Sequence, residues 1–147
     1  MTTNSAPKTL AEMIAAGRYD TVDRSITEKN FPVEPERFIM VGRCEVIGRN
    51  TPWYRHTDPF RNERVMKEVG LRWAAIEELL AYGAESDAEQ WYGGPIVALG
   101  SYCVVSPPYN HAGYPSLWYP DNKRCLGLET PGYGYWSYFY RFLVVHL

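Results

Sequence analysis

The stretch GLRWAAIEELLAYG, Gly70–Gly83, followed by PIVALGS, Pro95–Ser101, carries the fold in its spacing. Ile76, Leu79 and Leu80 recur at helical intervals and predict a helix from Ile76 to Tyr82. Glu77 and Glu78 are expected to be solvated near its positive end. Pro95–Gly100 is short, wholly apolar and bounded by glycines, so it reads as a central strand. A helix followed closely by a buried strand is the seed of a mixed domain. The rest of the sequence decides which kind.

Toward the N-terminus, Asp58-Pro59 opens a helix as an N-cap with proline in the first turn. Val65, Met66 and Val69 should face inward, and Gly70 ends it. Phe38 to Ile47 reads as a strand, with Phe38, Met40, Cys44 and Val46 on one side and Arg43 and Glu45 on the other. The preceding RYDTVDRSITEKNFPVEPERF is polar and carries two prolines, as an extended arm on the surface would. Farther back, Thr9 and Glu12 fit a capping box, with Leu10, Met13 and Ile14 as the apolar stripe and Gly17 as the stop. Residues 1–18 thus read as an N-terminal helix and arm, and 19–147 as one domain.

Toward the C-terminus come short β-like pieces at Tyr102–Val105, Ser116–Tyr119, Leu126–Glu129 and Phe142–Val145, separated by loops of Pro, Gly, Asn and Asp. Helices precede and strands follow, which is α+β with an antiparallel sheet. The 147 residues can bury a core without disulfides or metals. A net charge of −2 offers no footprint for nucleic acid or an anionic membrane. No apolar run approaches the ~20 residues of a membrane span, and the N-terminus lacks the features of a secretory signal. The expected location is cytoplasmic, or on a virion or surface through a partner.

Charge and aromatics separate along the sequence. After Gly100 lie eight of the twelve tyrosines but only Asp121, Glu129, Lys123, Arg124 and Arg141 as charges. PGYGYWSYFYRFLVV, Pro131–Val145, is the densest part. Tyr and Trp give rigid contact area at low entropic cost, and Ser, Asn and Gly give adaptable polarity, which is the composition of a recognition surface. The competing account makes these rings a mini-core under long loops. The first account expects Tyr133, Tyr135, Trp136 and Tyr138 to be exposed, over a core that includes Leu79, Leu99 and Phe142.

With those segments in place, the order Gly70–Gly83, Pro95–Ser101 and YRFLVV, Tyr140–Val145, resembles small C-type-lectin-like proteins related to the variable proteins of diversity-generating retroelements. YDTVDRSITEKNFP, Tyr19–Pro32, is similar to the arm that precedes these features in that group. A more distant likeness is to the fold of formylglycine-generating enzymes. The resemblance implies two main helices flanking a twisted antiparallel sheet, with long C-terminal loops that form an aromatic display region over 101–140. It also implies a phage or bacterial source and a hypervariable surface. The scaffold would comprise Leu99, Gly100, Leu126, Gly127, Leu128, Arg141, Phe142 and Val144. The displayed ligand-binding set would be Tyr109, Asn110, His111, Tyr114, Trp118, Tyr119, Asp121, Asn122, Tyr133, Tyr135, Trp136, Tyr138 and Tyr140. Ala75 stands where the family caps its helix with threonine, and Trp73 where it has proline. Trp73 is expected to compensate by packing.

Chemistry-bearing residues are sparse. His56, His111 and His146 lie at no metal-ligand spacing, and the calcium motifs of sugar-binding lectins are absent. Pro120-Asp121-Asn122 reads as a solvated turn. Cys44, Cys103 and Cys125 read as free, mostly buried thiols, with a Cys103–Cys125 bridge as the alternative. Cys125 follows Lys123-Arg124, the one hint of an activated thiol. The expected function is therefore non-catalytic recognition of a protein or other macromolecular ligand, with no cofactor, metal or nucleic acid. A self-assembling virion or appendage subunit using the same face is the alternative, and a formylglycine-generating-like enzyme is the remote one. Homo-oligomerisation stays open.

Overall fold

Thr9 starts the first helix as its sequence predicts: its hydroxyl accepts from the Glu12 amide, and the Glu12 carboxylate accepts from the Thr9 amide. The structure, a computed structural model, describes residues 8–34, 39–54, 58–105, 111–131 and 136–147. In sequence order run α1 (Leu10–Ala16), β1 (Thr21–Val22), β2 (Cys44–Ile47), α2 (Glu63–Glu68), β3 (Leu71–Trp73), α3 (Ile76–Glu85), β4 (Ile96–Val97), β5 (Cys103–Val105), β6 (His111–Trp118), β7 (Cys125–Glu129) and β8 (Arg141–His146).

Among the described residues, three α-helices accompany an open, twisted sheet of eight strands in the order β1-β7-β6-β4-β8-β2. Strands β3 and β5 attach to β8 and β6. The two-residue β4 is the hinge of this arrangement: it joins β8, through Val97↔Phe142, to β6, through Val97↔Ser116. The expected central strand is therefore central, although short. The sheet is mixed rather than antiparallel throughout, because β4–β8 and β1–β7 are parallel.

Both sheet faces are buried, so the long strands alternate between two cores. Leu143 and Val145 of β8, with Ile96 and Ala98, join Leu10, Leu79 and Leu80 on the face covered by α1 and α3. Phe142 and Val144, with Val97 and Leu99, join Ile47, Met66 and Trp136 on the other. This two-sided burial is why FLVV, Phe142–Val145, is continuously apolar. Of the expected scaffold, Leu99, Leu126, Phe142 and Val144 are buried, and Gly127, Leu128 and Arg141 are half-buried. Gly100 is held by packing: a Cβ there would lie 2.6 Å from the Ala74 carbonyl oxygen.

Several expectations need correction. Glu77 and Glu78 are buried, not solvated. With Ala75 at the N-cap, the helix start has no side-chain oxygen of its own. Glu78 turns back to accept from the Ala75 amide at 2.9 Å and takes a bidentate pair from Arg72 at 2.8 and 2.6 Å. Ser101 supplies the missing cap from another element, accepting from the Ile76 amide at 2.8 Å. Glu77 accepts from the Glu34 amide at 3.0 Å, tying the arm to α3. Trp73 packs edge-on against Phe60 and Phe142 and donates to Glu63 at 2.8 Å.

The strand expected from Phe38 to Ile47 is confined to β2, because Val41–Arg43 forms a 3-10 turn around Gly42; Phe38 lies outside the described residues. Val69 is exposed, since α2 stops at Glu68 and Gly70 takes a φ of 75°. The arm does more than wrap the surface. Its β1 pairs with β7, and Ile26 and Phe31 are buried in the first core.

Candidate functional site

Strand β6 sends Tyr114, Ser116 and Trp118 to one side, away from Leu117 in the first core. Across the ladder they face Glu129, Gly127 and Cys125 of β7. Gly127 leaves room for Ser116, whose hydroxyl is buried and donates to the Glu129 carboxylate at 3.0 Å. Over this strand pair lies the segment from Trp136 to Tyr140.

The rings there form an unbroken row. Centroids are separated by 6.0 Å from Tyr102 to Tyr114, 5.8 Å to Trp136, 4.9 Å to Tyr140, 5.6 Å to Phe139 and 6.0 Å to Trp118. Each pair is tilted or edge-on, the geometry favoured by the ring quadrupole. Exposure is concentrated at the ends, with Tyr102 61% accessible, Phe139 48% and Trp118 36%. In the middle, burial and then the Glu129 charge push the Tyr140 phenol up.

Trp136 corrects the expectation of an exposed ring. It is 1% accessible and sits between Tyr114, Tyr140 and Phe142. Its indole packs in the second core between Tyr114 of β6 and Phe142 of β8, so it anchors the row. The competing mini-core account is right for this residue. Tyr138 is exposed as expected.

The remaining expected positions divide. His111 is exposed at the start of β6, and Asp121 and Asn122 are exposed on a 3-10 turn with φ of 51° and 61°. Tyr119 is half-buried, edge-on to Tyr92 at 5.2 Å, and the Tyr92 phenol donates to Asn122. These form a second, smaller aromatic cluster. Tyr109, Asn110, Tyr133 and Tyr135 lie outside the described residues, as does His56. Sequence reasoning misses Tyr102, Tyr92 and Phe139. Phe139 stands inside the quoted aromatic run, but its ring lacks the polar tip that marks its neighbours as display residues. Tyr92 precedes Gly93-Gly94, and nothing in the sequence links it to Tyr119.

Beside the row, a cleft of about 590 Å³ opens between the turn at residues 48–51 and the segment 138–141, with Tyr92 at its rim. The turn is closed by Thr51 N–H to Gly48 C=O at 2.8 Å and Gly48 N–H to the Thr51 hydroxyl at 3.1 Å.

The candidate chemical residues have structural partners. Arg124 does not serve Cys125. It donates to the carbonyls of Gly17 and Gly83 at 2.9 and 2.8 Å and lies 4.4 Å from the Trp91 ring centre. Cys44 and Cys103 are free thiols, the first pushed up to about 11 by burial and the second also raised by burial. The Cys125 thiol donates to the Lys123 carbonyl, and Cys125 is free. His146 pairs with Glu45 at 2.7 Å on the surface. Among the described residues there is no group of three or more His, Cys, Asp and Glu placed to hold a metal ion, and no helix is long and apolar enough to cross a membrane. Compared with family models, curated proteins and solved structures, the protein finds no match in any of the three. The C-type-lectin-like resemblance is one of sequence motifs alone.

Proposed function

We propose that the protein is a non-catalytic recognition module that presents its aromatic row, on a C-type-lectin-like scaffold, to a protein ligand. The observation that carries this reading is the row itself: six rings in continuous contact, anchored at Trp136 and open at Tyr102, Phe139 and Trp118. A core has no use for rings half in solvent, whereas interface centres are enriched in Trp and Tyr held by their neighbours. No charged side chain belongs to the row itself, so the part of the binding that it supplies should depend little on salt.

A second reading has its own support. Strand β5 pairs only with β6 among the described residues, and its Val104 is as exposed as Tyr102. An apolar edge strand is a template for another copy, so the same face could drive assembly.

The test is capture of binders from a displayed peptide or protein library, comparing wild type with a Tyr102→Ser/Phe139→Ser variant. Recognition through the row predicts at least a ten-fold loss of affinity, about the ~2 kcal/mol of an aromatic hot spot, with little change in salt dependence. Equal capture by both proteins refutes the row as the binding face. Polymers of the wild type in size-exclusion chromatography, abolished in the variant, would transfer the row to assembly.

A further inference from the structure

The cleft beside the row has a chemistry that the row lacks. Arg49 and Arg141 line it, and among the described residues no carboxylate does. Arg49 is exposed and meets no acidic partner among the described residues. Among the described residues, Arg141 is held only by carbonyl oxygens, from Nη1 to Gln90 at 3.2 Å and from Nη2 to Gly94 at 2.8 Å. Its Nε is buried without an acceptor. Carbonyl dipoles orient this guanidinium but supply no counter-ion, and a partly buried cation without an anion is costly. Burial accordingly draws its pKa down.

The rest of the lining suits one kind of occupant. The Asn50 amide and Thr51 hydroxyl can donate, the Tyr138 phenol can do either, and the Phe139 ring forms an apolar wall. Two guanidinium groups beside aromatic surface match a carboxylate next to an apolar group, since arginine pairs with carboxylates and also stacks on rings. A volume of about 590 Å³ falls within the range of small-ligand sites.

We infer that this cleft takes a carboxylate group of the ligand, from an Asp or Glu residue or from a free C-terminus, adjoining an apolar residue. This rests on the recognition reading for the source of the group. The cleft then fixes the register of the partner, and the row supplies contact area.

Three probes test it by chemical-shift titration: N-acetylphenylalanine, its neutral amide, and N-acetyl-glutamyl-phenylalaninamide. The first carries a terminal carboxylate and the third a glutamyl one, so their ranking separates the two sources. Both acids should shift resonances around residues 48–51 and 138–141, with the neutral amide at least about ten-fold weaker. Arg49→Gln, on the surface, should weaken both acids several-fold without changing the melt. Arg141→Lys should weaken them further if it folds, and the Arg49 result stands without it. Equal binding of acid and amide, indifference to Arg49→Gln, or no shift in the cleft with either acid would overturn the inference. If the acids fail while Tyr102→Ser/Phe139→Ser still loses captured binders, the cleft assignment alone is wrong.

Discussion

The two faces of the sheet use the same strands for opposite purposes. On the α1/α3 side, residues such as Leu10, Leu79, Leu117 and Leu143 are almost wholly buried, and two helices cover them. On the other side, burial is complete from Ile47, Met66 and Val97 to Phe142 and Trp136. From there the packing grades into Tyr140, Tyr114, Phe139 and Tyr102, each more exposed than the core rings. Aliphatic residues close a face, and aromatic ones can leave it partly open, because a ring can be fixed along one edge while presenting another. The boundary between core and display therefore runs through the row, between Trp136 and its neighbours.

The sharpest way to break that comparison is to truncate on each side of the boundary. Trp136→Ala should cost about 3–5 kcal/mol, comparable with Leu79→Ala at about 2–5, through lost burial and the cavity left behind. Chemical denaturation measures both. A near-neutral Trp136→Ala would mean that the row is not anchored in the second core. Arg124→Ala should rank next, at about 1.5–3 kcal/mol, since it removes charge-assisted bonds to two helix-end carbonyls and the stack on Trp91. Ser101→Ala should cost about 1 kcal/mol, as loss of an N-cap does; no effect would show that Glu78 alone secures the start of α3.

A smaller effect is a pH slope. Burial raises the Cys44 thiol to about 11 in the folded protein, so the unfolded state ionises first. Its contribution is fully present below the unfolded thiol value and is lost as pH rises toward 11. Wild type should lose more stability than Cys44→Ala between neutral and strongly alkaline pH in urea titrations. Parallel pH profiles would remove Cys44 from the first core.

Legibility in the sequence followed the same boundary. The capping box at Thr9, the buried β4 and the apolar β8 could be read because period and cap chemistry are local. The full length of β6 could not: HAGYPSLW contains Gly113 and Pro115, which read as breakers, yet the strand runs through them. Pro115 is tolerated because its carbonyl accepts from the Ala98 amide and its missing N–H is not required there. The burial of Glu78 depended on Arg72 and on the absent cap at Ala75, a combination visible only once helix and strand meet. Trp136 escapes the sequence for a related reason. In a loop with no period, nothing distinguishes the ring that turns inward from those that turn out.

The central claim is that the exposed rings Tyr102, Tyr138 and Phe139 are not needed for folding, and a thermal melt of the triple variant Tyr102→Ser/Tyr138→Ser/Phe139→Ser tests it most directly. Surface substitutions change stability by about 0.5 kcal/mol each, and about 1 kcal/mol corresponds to roughly 2–4 °C at this length. The triple variant should therefore unfold cooperatively within roughly 6 °C of wild type. A loss of cooperativity, or a drop as large as that of Trp136→Ala, would show that these rings are core and that the face is closed.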